Sequence, residues 1–355
     1  MKRMLGPLGH ALLILTAAFA PVPAAANPAC NALIKGNVTL TADMNCAASA
    51  THGLRLSANT TLNCAGFTIT GPDGAQPNGA STDHYGLRAS NVSGIRVENC
   101  NVTGYERGLY FSSVHDGYVK HSNFYGNTRY GANLAGPDSY GLLFDANTYS
   151  ANGDEGVHIS GPMNNGPTKP NRFTNSVASG NVGEGFYLLN ANNVELDVIT
   201  TFDNGLAGVY VKQSPSVIIA HAHLIGDMMH VYGNSDAGAY SWVTIEGGRL
   251  KLQKDNGTAG SPSSNTFDHI CVIYDPVNGQ PDAAFYFEGV TAGSNSITHS
   301  KAALIAGKNS VVAISATTGN AGTSLYISPP TITTRVDGTS SFTLTTQTAT
   351  PPRCY

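Results

Sequence analysis

Charged residues are scarce in this sequence. Only 12% of its 355 residues are Asp, Glu, Lys or Arg, and the formal net charge at pH 7 is −4. A protein that binds nucleic acid or an anionic membrane through a general positive field needs a large excess of Lys and Arg. We therefore expect no nucleic-acid and no membrane partner. Any attraction to an acidic ligand must come from a local patch.

Long apolar runs are also lacking. The run ALLILTAAFA, from Ala11 to Ala20, follows Lys2 and Arg3 and precedes a Pro- and Ala-rich segment that ends at Ala26. Ten residues are too few to span a bilayer, and the whole pattern is typical of a secretory signal peptide. Residues 1–26 are predicted to be this signal peptide. The mature chain is then a soluble protein, secreted or periplasmic.

One short phrase recurs through the middle of the chain, as YGLRAS, RGLYFSS, YGANLAG, EGVHISG, EGFYLLN and AGVYVKQ. Successive phrases are 22 to 29 residues apart, which is too short for a unit that buries its own core. The glycines that mark the phrases are Gly86, Gly108, Gly131, Gly156, Gly185 and Gly208.

The residues one and three positions after each glycine are apolar, as Leu109 and Phe111 are in the second phrase. A period of two indicates strands, and the rest of each unit holds further short apolar runs separated by Asn and Gly. We predict an all-β fold, a single-stranded right-handed parallel β-helix with an N-terminal cap. Its strands would lie about 4.8 Å apart on successive coils, and turn asparagines such as Asn101, Asn123 and Asn147 would hydrogen-bond along the stack.

The predicted domain boundaries follow from where the repeat is clear. We assign residues 27–52 to an N-terminal cap, 53–290 to the β-helix, and 291–355 to final coils and a C-terminal cap or tail. A small separate β-domain after about residue 290 is the alternative. Two Pro- and Gly-rich insertions, 72–84 and 161–171, could edge a cleft.

The six cysteines should be oxidised in an exported chain wherever geometry permits. None of them has CxxC spacing, which disfavours a zinc site. Cys64 and Cys100 occupy similar places in successive coils, where they could stack as thiols or form a bridge. The pairs that their positions favour are Cys30 with Cys46, Cys64 with Cys100, and Cys271 with Cys354.

The glycine-marked phrases, together with LNCAGFTITG, resemble the right-handed parallel β-helix repeat proteins of the pectate-lyase-like and alginate-epimerase-like superfamily. The resemblance covers roughly residues 53–230. It implies an exported enzyme that cleaves, epimerises or hydrolyses an acidic polysaccharide along one sheet. The Asp-Pro-His-Asp/Glu motif of the mannuronan epimerases and the Gly-His-Gly of the polygalacturonases are absent from the sequence, so catalytic residues of those enzymes cannot be transferred.

The candidate site comes instead from the strand alternation, because the residue two positions after each glycine should point outward. This predicts one outward column: Arg88, Tyr110, Asn133, His158, Tyr187 and Tyr210. A second column ends at Lys212. The residues just before the strands add charge to the same face: Arg107, Arg129, Asp154, Glu155 and Glu184.

The first functional prediction is a polysaccharide lyase that cleaves a uronate polymer by β-elimination. His158 would be the base, Tyr187 the acid, and Asn133 with Arg129 would neutralise the substrate carboxylate. The residues expected to hold neighbouring sugars are Arg88, Arg107, Tyr110, Tyr210 and Lys212. The plain alternative is that outward tyrosines only cover adjacent coils and that His158 has no chemical role.

Three further functions stay open from the sequence. A uronan C5-epimerase would use the same residues. Asp154, Glu155 and Glu184 could instead make a glycoside hydrolase or hold Ca²⁺, or they could be turn residues only. A non-catalytic glycan-binding or surface-structural β-helix is the third. No cofactor is required and Ca²⁺ is possible; no metal ligands are assigned, since His221 and His223 lack a third partner.

Overall fold

A computed structural model describes residues 26–46, 52–72, 83–161, 169–255, 260–274, 284–288, 290 and 295–304, and four later strands within 312–346. Residues 1–25 of the predicted signal peptide lie outside the described residues. Most of the two predicted insertions, and Cys354, lie outside the described residues as well. None of the described residues is helical, so this part of the chain has no helix that could span a membrane.

The chain winds as a coil whose strands form three parallel sheets. Each strand pairs in parallel with the equivalent strand one coil later. The predicted all-β parallel β-helix is therefore confirmed.

The first sheet carries the glycine-marked phrases. Its strands are Ala32–Ile34, His52–Leu56, Tyr85–Ser93, the first half of Arg107–Lys120, Tyr130–Ala135, Val157–Ser160, Phe186–Leu189, Val209–Lys212, Met229–Tyr232, Leu250–Gln253, Phe285–Glu288, Val312–Ser315 and Thr334–Val336.

The second sheet follows the first around each coil. Its strands are Asn37–Thr39, Thr61–Asn63, Arg96–Glu98, the second half of Arg107–Lys120, Tyr140–Asp145, Asn171–Thr174, Val194–Asp197, Ile218–Ala220, Ala239–Ser241, Thr266–Asp268, Ser296–Thr298, the first half of Asn320–Ser328 and Phe342–Thr346.

The third sheet closes the coil. Its strands are Met44–Asn45, Thr68–Thr70, Asn101–Thr103, Asn123–Tyr125, Thr148–Ser150, Val177–Ser179, Thr200–Phe202, His223–Ile225, Thr244–Glu246, Cys271–Tyr274, Lys301–Leu304 and the second half of Asn320–Ser328.

The ends of the described chain continue this pattern. Ala32–Ile34, inside the segment predicted as a cap, pairs with His52–Leu56 and so belongs to the first coil. Near the other end, Val312–Ser315 pairs with Phe285–Glu288. The described strands beyond residue 290 thus extend the same three sheets.

The interior is filled by the side chains that the sequence alternation points inward. Leu109, Phe111, Val157 and Ile159 are fully buried, like the equivalent residues of the other phrases. Aromatic rings stack along the axis, as Phe144 does on Phe173 with ring centroids 4.4 Å apart. Dense stacking of this kind holds successive coils at a fixed distance.

The recurring glycines are explained by how closely the coils approach. A Cβ atom at Gly131 would lie 2.6 Å from the carbonyl oxygen of Gly156 and 2.8 Å from the side-chain nitrogen of Asn152. The same backbone contact recurs at Gly108, Gly156 and Gly185. A side chain at these positions would push neighbouring coils apart, so the chain uses glycine there.

A buried ladder of side-chain amides runs along the turn before the first sheet. Asn127 donates to Asn152 (3.1 Å), Asn152 to Asn181 (2.9 Å), Asn181 to Asn204 (2.8 Å), and Asn204 to Asp227 (2.7 Å). This ladder was not predicted from the sequence. Each amide also bonds backbone groups of the turn, so the ladder satisfies polar atoms that burial would otherwise leave unpaired.

The asparagines that were predicted to stack do so only in part. Asn123 donates to Asn101 at 2.7 Å on the surface. Asn147 lies elsewhere: it is buried, accepts from the backbone of Ser122 and donates to the carbonyl of Val119. Including Asn147 in that stack was wrong, because it sits in the turn between the second and third sheets.

Two predicted disulfides are present. Cys30 bonds Cys46, and Cys64 bonds Cys100 across successive coils with Cα atoms 4.7 Å apart. Cys64 and Cys100 therefore form a bridge rather than a stack of thiols. Cys271 is also disulfide-bonded.

Gly131→Ala should destabilise the fold by about 1–3 kcal/mol, because the added methyl group must displace backbone of the next coil. Urea unfolding followed by circular dichroism measures the change. The control is Gly226→Asn: Gly226 has open space around its Cβ position and a φ of 72°, a conformation that asparagine tolerates. Equal stability of Gly131→Ala and wild type would contradict the close-approach explanation.

Candidate functional site

The predicted outward residues do lie in one column of the first sheet. Backbone pairing aligns them one above another, and the column extends further at both ends than predicted. In order it contains Arg55, Arg88, Tyr110, Asn133, His158, Tyr187, Tyr210, His230, Lys251 and Tyr286. Residues that the sequence placed on one face are thus brought together.

Aromatic contacts run along the middle of this column. The His158 ring stacks on Tyr130 with centroids 4.5 Å apart and contacts Tyr187 at 5.1 Å. The Tyr187 ring contacts Tyr210 with centroids 5.3 Å apart, and Tyr210 stacks on His230 with centroids 4.5 Å apart. The rings cover one another, so each is partly buried. Together the five rings span five successive coils.

Three carboxyl groups lie in the turns that lead into this surface. Asp154 and Glu155 precede the His158 strand, and Glu184 holds the position of Glu155 one coil later, since the Gly156 amide donates to the Glu184 carbonyl. Glu155 and Glu184 are buried, with 6% and 7% of their surfaces exposed. Acidic side chains are rarely this buried without a partner of opposite charge.

Burial and mutual repulsion raise two of these pKa values. Burial raises the pKa of Asp154 to about 6, and the negative charge of Glu155 adds to the effect. Burial raises the pKa of Glu184 to about 7, again with a contribution from Glu155. Glu184 is therefore partly protonated at neutral pH, beside carboxylates that can be ionised.

His158 lies against these carboxylates. Its Nδ1 atom is 3.3 Å from Oε1 of Glu155, in an orientation that does not make a hydrogen bond. Burial, followed by the charge of Glu184, raises the pKa of Tyr187 to about 12. Tyr187 thus keeps its proton at neutral pH and can act as a donor.

Two arginines share a buried carboxylate on the other side of His158. Glu106 is fully buried, and its Oε1 lies 3.1 Å from Arg107 and 3.5 Å from Arg129. Arg129 also donates to the Tyr130 hydroxyl at 2.5 Å. About a third of the Arg129 side chain is exposed, against 14% for Arg107. Of the two, Arg129 is the one that can reach a ligand.

Asn133 is committed to structure. Its oxygen accepts from Arg107 at 3.3 Å, its nitrogen donates to the carbonyl of His158 at 3.0 Å, and only 3% of it is exposed. Asn133 therefore fixes Arg107 and the His158 strand, and its amide is not presented to solvent.

The predicted sugar-binding residues are spread along the whole face. Arg88 bonds His52 at 2.9 Å near the N-terminal end, and Arg107 lies over the Tyr110 ring at 5.1 Å. Lys212 is on the neighbouring outward column, 5.7 Å from the Tyr232 ring. The N-terminal part of the face is cationic, and the carboxylates form its centre.

Several residues of this surface were missed by sequence reasoning. Tyr130 precedes Gly131, whereas the column was predicted from the residue two positions after each glycine, so Tyr130 was not included. His230 follows Met228, which stands where the other phrases have glycine. Burial and the charge of Lys251 lower the pKa of His230 to about 3, so it is a neutral donor to Gln253. The signal that could have found it is the alternating pattern MHVY alone.

Comparisons with known proteins agree with this architecture. The sequence model of the family described as right-handed β-helix region matches residues 119–245. No curated protein matches the sequence significantly.

Among solved structures, the catalytic unit of a thermostable GH87 α-1,3-glucanase from Streptomyces thermodiastaticus strain HF3-3 is similar, with a TM-score of 0.56 and 14% identity over 90% of this chain. A GH87 α-1,3-glucanase catalytic domain in complex with nigerose gives 0.55 and 12% over 86% of it. The chain spans 63% of the length of each of these two glucanase chains. A mannuronan C-5 epimerase A-module from Azotobacter vinelandii gives a TM-score of 0.49 and 12% identity, covering 89% of this chain and 91% of the module.

This chain is a right-handed parallel β-helix protein. At such low identity the likeness to the glucanases concerns the fold alone, and function has to be argued from the site.

The raised pKa of Glu184 predicts how stability depends on pH. Because the folded pKa of about 7 exceeds the ordinary value of 4.5, the folded state binds more protons than the unfolded state between these values. Stability therefore falls as pH rises through this window, by on the order of 3 kcal/mol for Glu184. Glu184→Gln should flatten the fall, as measured by urea unfolding between pH 4.5 and pH 8.

Glu195→Gln is the matched control, because it removes one carboxylate from the second sheet, where Glu195 pairs with Arg172 at 2.6 Å. An unchanged pH slope in Glu184→Gln would contradict the assignment of the raised pKa to Glu184.

Proposed function

We propose that this protein is an exported glycoside hydrolase that acts on a polysaccharide lying along the first sheet. The observation that carries the proposal is the carboxyl group of Glu184, which has a pKa of about 7 and stands one coil from Asp154 and Glu155. Glycosidic hydrolysis needs one carboxylic acid that holds its proton and one carboxylate that does not. The cluster offers both states at neutral pH.

The roles follow from the protonation states. Glu184 gives its proton to the glycosidic oxygen as that oxygen leaves the anomeric carbon. Asp154 or Glu155 takes a proton from the water that adds to the anomeric carbon, so water is split across the broken bond. Tyr187, which keeps its proton at neutral pH, donates a hydrogen bond to the sugar at this point.

The column supplies binding subsites for a long substrate. Coils are about 4.8 Å apart, so two coils match the length of about one disaccharide. Tyr187 and Tyr210 offer ring edges and hydroxyl groups that can contact sugar C–H and O–H groups. A sugar chain can therefore run parallel to the axis of the β-helix, with Lys212 beside it.

The charge of the centre favours a neutral polysaccharide. Asp154 and Glu155 would repel a uronate carboxylate at the point of cleavage. The glucanases that share the fold act on an α-1,3-glucan, and one of them is in complex with nigerose. This is support by analogy of fold, and it makes neutral glucans the first substrates to test.

A uronate lyase, the first prediction from the sequence, is the second candidate. The observation that favours it is that the rings of His158 and Tyr187 pack together, with centroids 5.1 Å apart, next to the partly exposed guanidinium of Arg129. His158 would take the C5 proton, Tyr187 would protonate the leaving oxygen, and Arg129 would stabilise the enolate. This candidate requires an acidic substrate, and a C5-epimerase would require the same.

One assay separates these candidates. Neutral glucans, alginate, pectate and glycosaminoglycans are incubated with the mature protein, and both new reducing ends and ultraviolet absorbance of unsaturated uronate are followed. We expect reducing ends without absorbance from a neutral polymer. Absorbance from an acidic polymer would replace the hydrolase with the lyase, and proton NMR of intact uronate chains detects epimerisation. Chelation with EDTA, followed by added Ca²⁺, tests whether Ca²⁺ takes part.

Variants then assign the roles. Glu184→Gln should lower kcat at least about 100-fold, because it keeps the shape of the side chain and removes the proton donor. His158→Gln should cost less, since a hydrolase does not need a base at this place. The control is Glu195→Gln on the second sheet. The reverse order, with His158→Gln inactive and Glu184→Gln active, would contradict the proposed roles.

A further inference from the structure

A second group of ionisable side chains lies far along the coil from the carboxylates of the candidate site. Asp268 ends a strand of the second sheet, His269 follows it, and His299 is one coil later. Nδ1 of His269 lies 2.9 Å from Oδ2 of Asp268, and Nδ1 of His299 lies 2.8 Å from Oδ1 of the same carboxylate. We call these three residues the Asp268 cluster.

The coil repeat is what brings the Asp268 cluster together. Thr266–Asp268 pairs with Ser296–Thr298 in register, so that Asp268 lies beside Thr298. His269 and His299 are the next residues, and both have left-handed backbone, with φ of 53° and 45°. Each therefore turns the chain at the same corner, and their rings stack with centroids 5.2 Å apart.

We propose that Asp268, His269 and His299 form a binding site for a divalent first-row transition ion such as Zn²⁺ or Cu²⁺. One atom from each side chain, two imidazole nitrogens and a carboxylate oxygen, lies within 4.8 Å of the others. Ligand atoms at about 2.0–2.2 Å from one ion lie closer together than this, so the three side chains would turn slightly towards one another on binding.

The donor set suits these ions. Imidazole is a preferred ligand of Zn²⁺ and Cu²⁺, and a carboxylate oxygen serves both. Thr298 donates from its hydroxyl to Oδ1 of Asp268 at 2.7 Å and so orients the carboxylate. An outer hydrogen bond of this kind commonly fixes a metal ligand. To bind the ion through Nδ1, each neutral imidazole would carry its proton on Nε2 instead, by exchange with solvent, and water would complete the coordination.

The accessibility of the site also fits a bound ion. The His299 side chain is 60% exposed and Asp268 40%, whereas His269 is 28% exposed. An ion can therefore enter from solvent without any movement of the coil. Because the ligands come from two successive coils, a bound ion would tie these coils together at the corner.

The chain offers a matched comparison at the same corner. His221 occupies the equivalent turn position with φ of 50°, and its Nδ1 lies 2.9 Å from Asp197. On the coil above, the equivalent residue is Trp242 in place of a histidine. His223 pairs separately with Glu246 at 3.0 Å. His221 is thus a histidine–carboxylate pair without a second imidazole stacked beside it.

Trp242 makes binding measurable. It is the single tryptophan of the sequence, and its ring stacks on His269 with centroids 3.9 Å apart. Cu²⁺ quenches indole fluorescence at short range. A Cu²⁺ ion held by His269 should therefore quench the tryptophan emission of the whole protein.

The experiment is a Cu²⁺ titration of tag-free mature protein, followed by tryptophan fluorescence. We expect saturable quenching at one equivalent of Cu²⁺, reversal by EDTA and competition by excess Zn²⁺. Asp268→Asn and His299→Gln should each raise the midpoint at least about 10-fold. His221→Gln should leave it unchanged. His269→Gln is not used, because it also removes the partner of Trp242.

A second readout guards against variants that disturb the fold. Equilibrium dialysis should find one Zn²⁺ bound per wild-type chain, and Zn²⁺ should raise the melting temperature of wild type but not of Asp268→Asn. Circular dichroism without metal should be the same for both. Absence of saturable quenching in wild type, or an unchanged midpoint in Asp268→Asn and His299→Gln, would overturn the proposal.

Discussion

Parallel hydrogen bonding between equivalent strands of successive coils is the constraint on which this structure depends. Every strand of the first sheet is in register with the next, and at Gly108, Gly131, Gly156 and Gly185 the backbones of successive coils approach closely. Gly131 and its equivalents leave no room for a side chain. The number of residues per coil can vary, because insertions are placed in the loops between strands. The distance between successive coils along the axis cannot vary. Side chains that act together in this molecule are therefore equivalent residues of successive coils, aligned in columns along the axis.

This constraint explains why buried acids collect at the centre of one face. A turn residue on one coil stands directly beside its equivalent on the next, so Glu155 and Glu184 are close in space while 29 residues apart in the chain. Repulsion between neighbouring acids and burial in the turn act in the same direction on the pKa of Glu184. Such an arrangement costs stability at neutral pH, which distinguishes it from the arginine-paired Glu106 nearby.

The fold was readable from the sequence because the coil repeats its local pattern. The period-two alternation after each glycine gave the inward residues, and counting two from the glycine placed His158 and Tyr187 on one column. The environment of each side chain was not readable. Nothing in the sequence shows that the Asn133 amide hydrogen-bonds to Arg107 and to a backbone carbonyl, or that Glu106 lies between two arginines. These facts depend on rotamers and burial, which vary from coil to coil while the pattern does not.

Missed features share a second cause. The asparagine ladder and the Asp268 cluster lie at two different corners of the coil. At the corner of the Asp268 cluster the left-handed residue can be Asn, Ala, Val, His or Trp, so no residue type marks that position. Their partners are one coil away, at separations of 23 to 31 residues. Such pairs become visible only when the coils are aligned on their strands rather than on their glycines.

The ladder that starts at Asn127 has a direction. Each amide gives its hydrogen to the coil ahead, and the series ends at Asp227, whose oxygens only accept. Asp227 therefore ends the ladder, because its carboxylate accepts a hydrogen bond from Asn204 and cannot donate one to the next coil. A duplicated coil inserted before Asp227 would extend this ladder if it brought its own asparagine. Beyond Asp227 the coils continue without the ladder, so a coil duplicated there would have to satisfy its turn in another way.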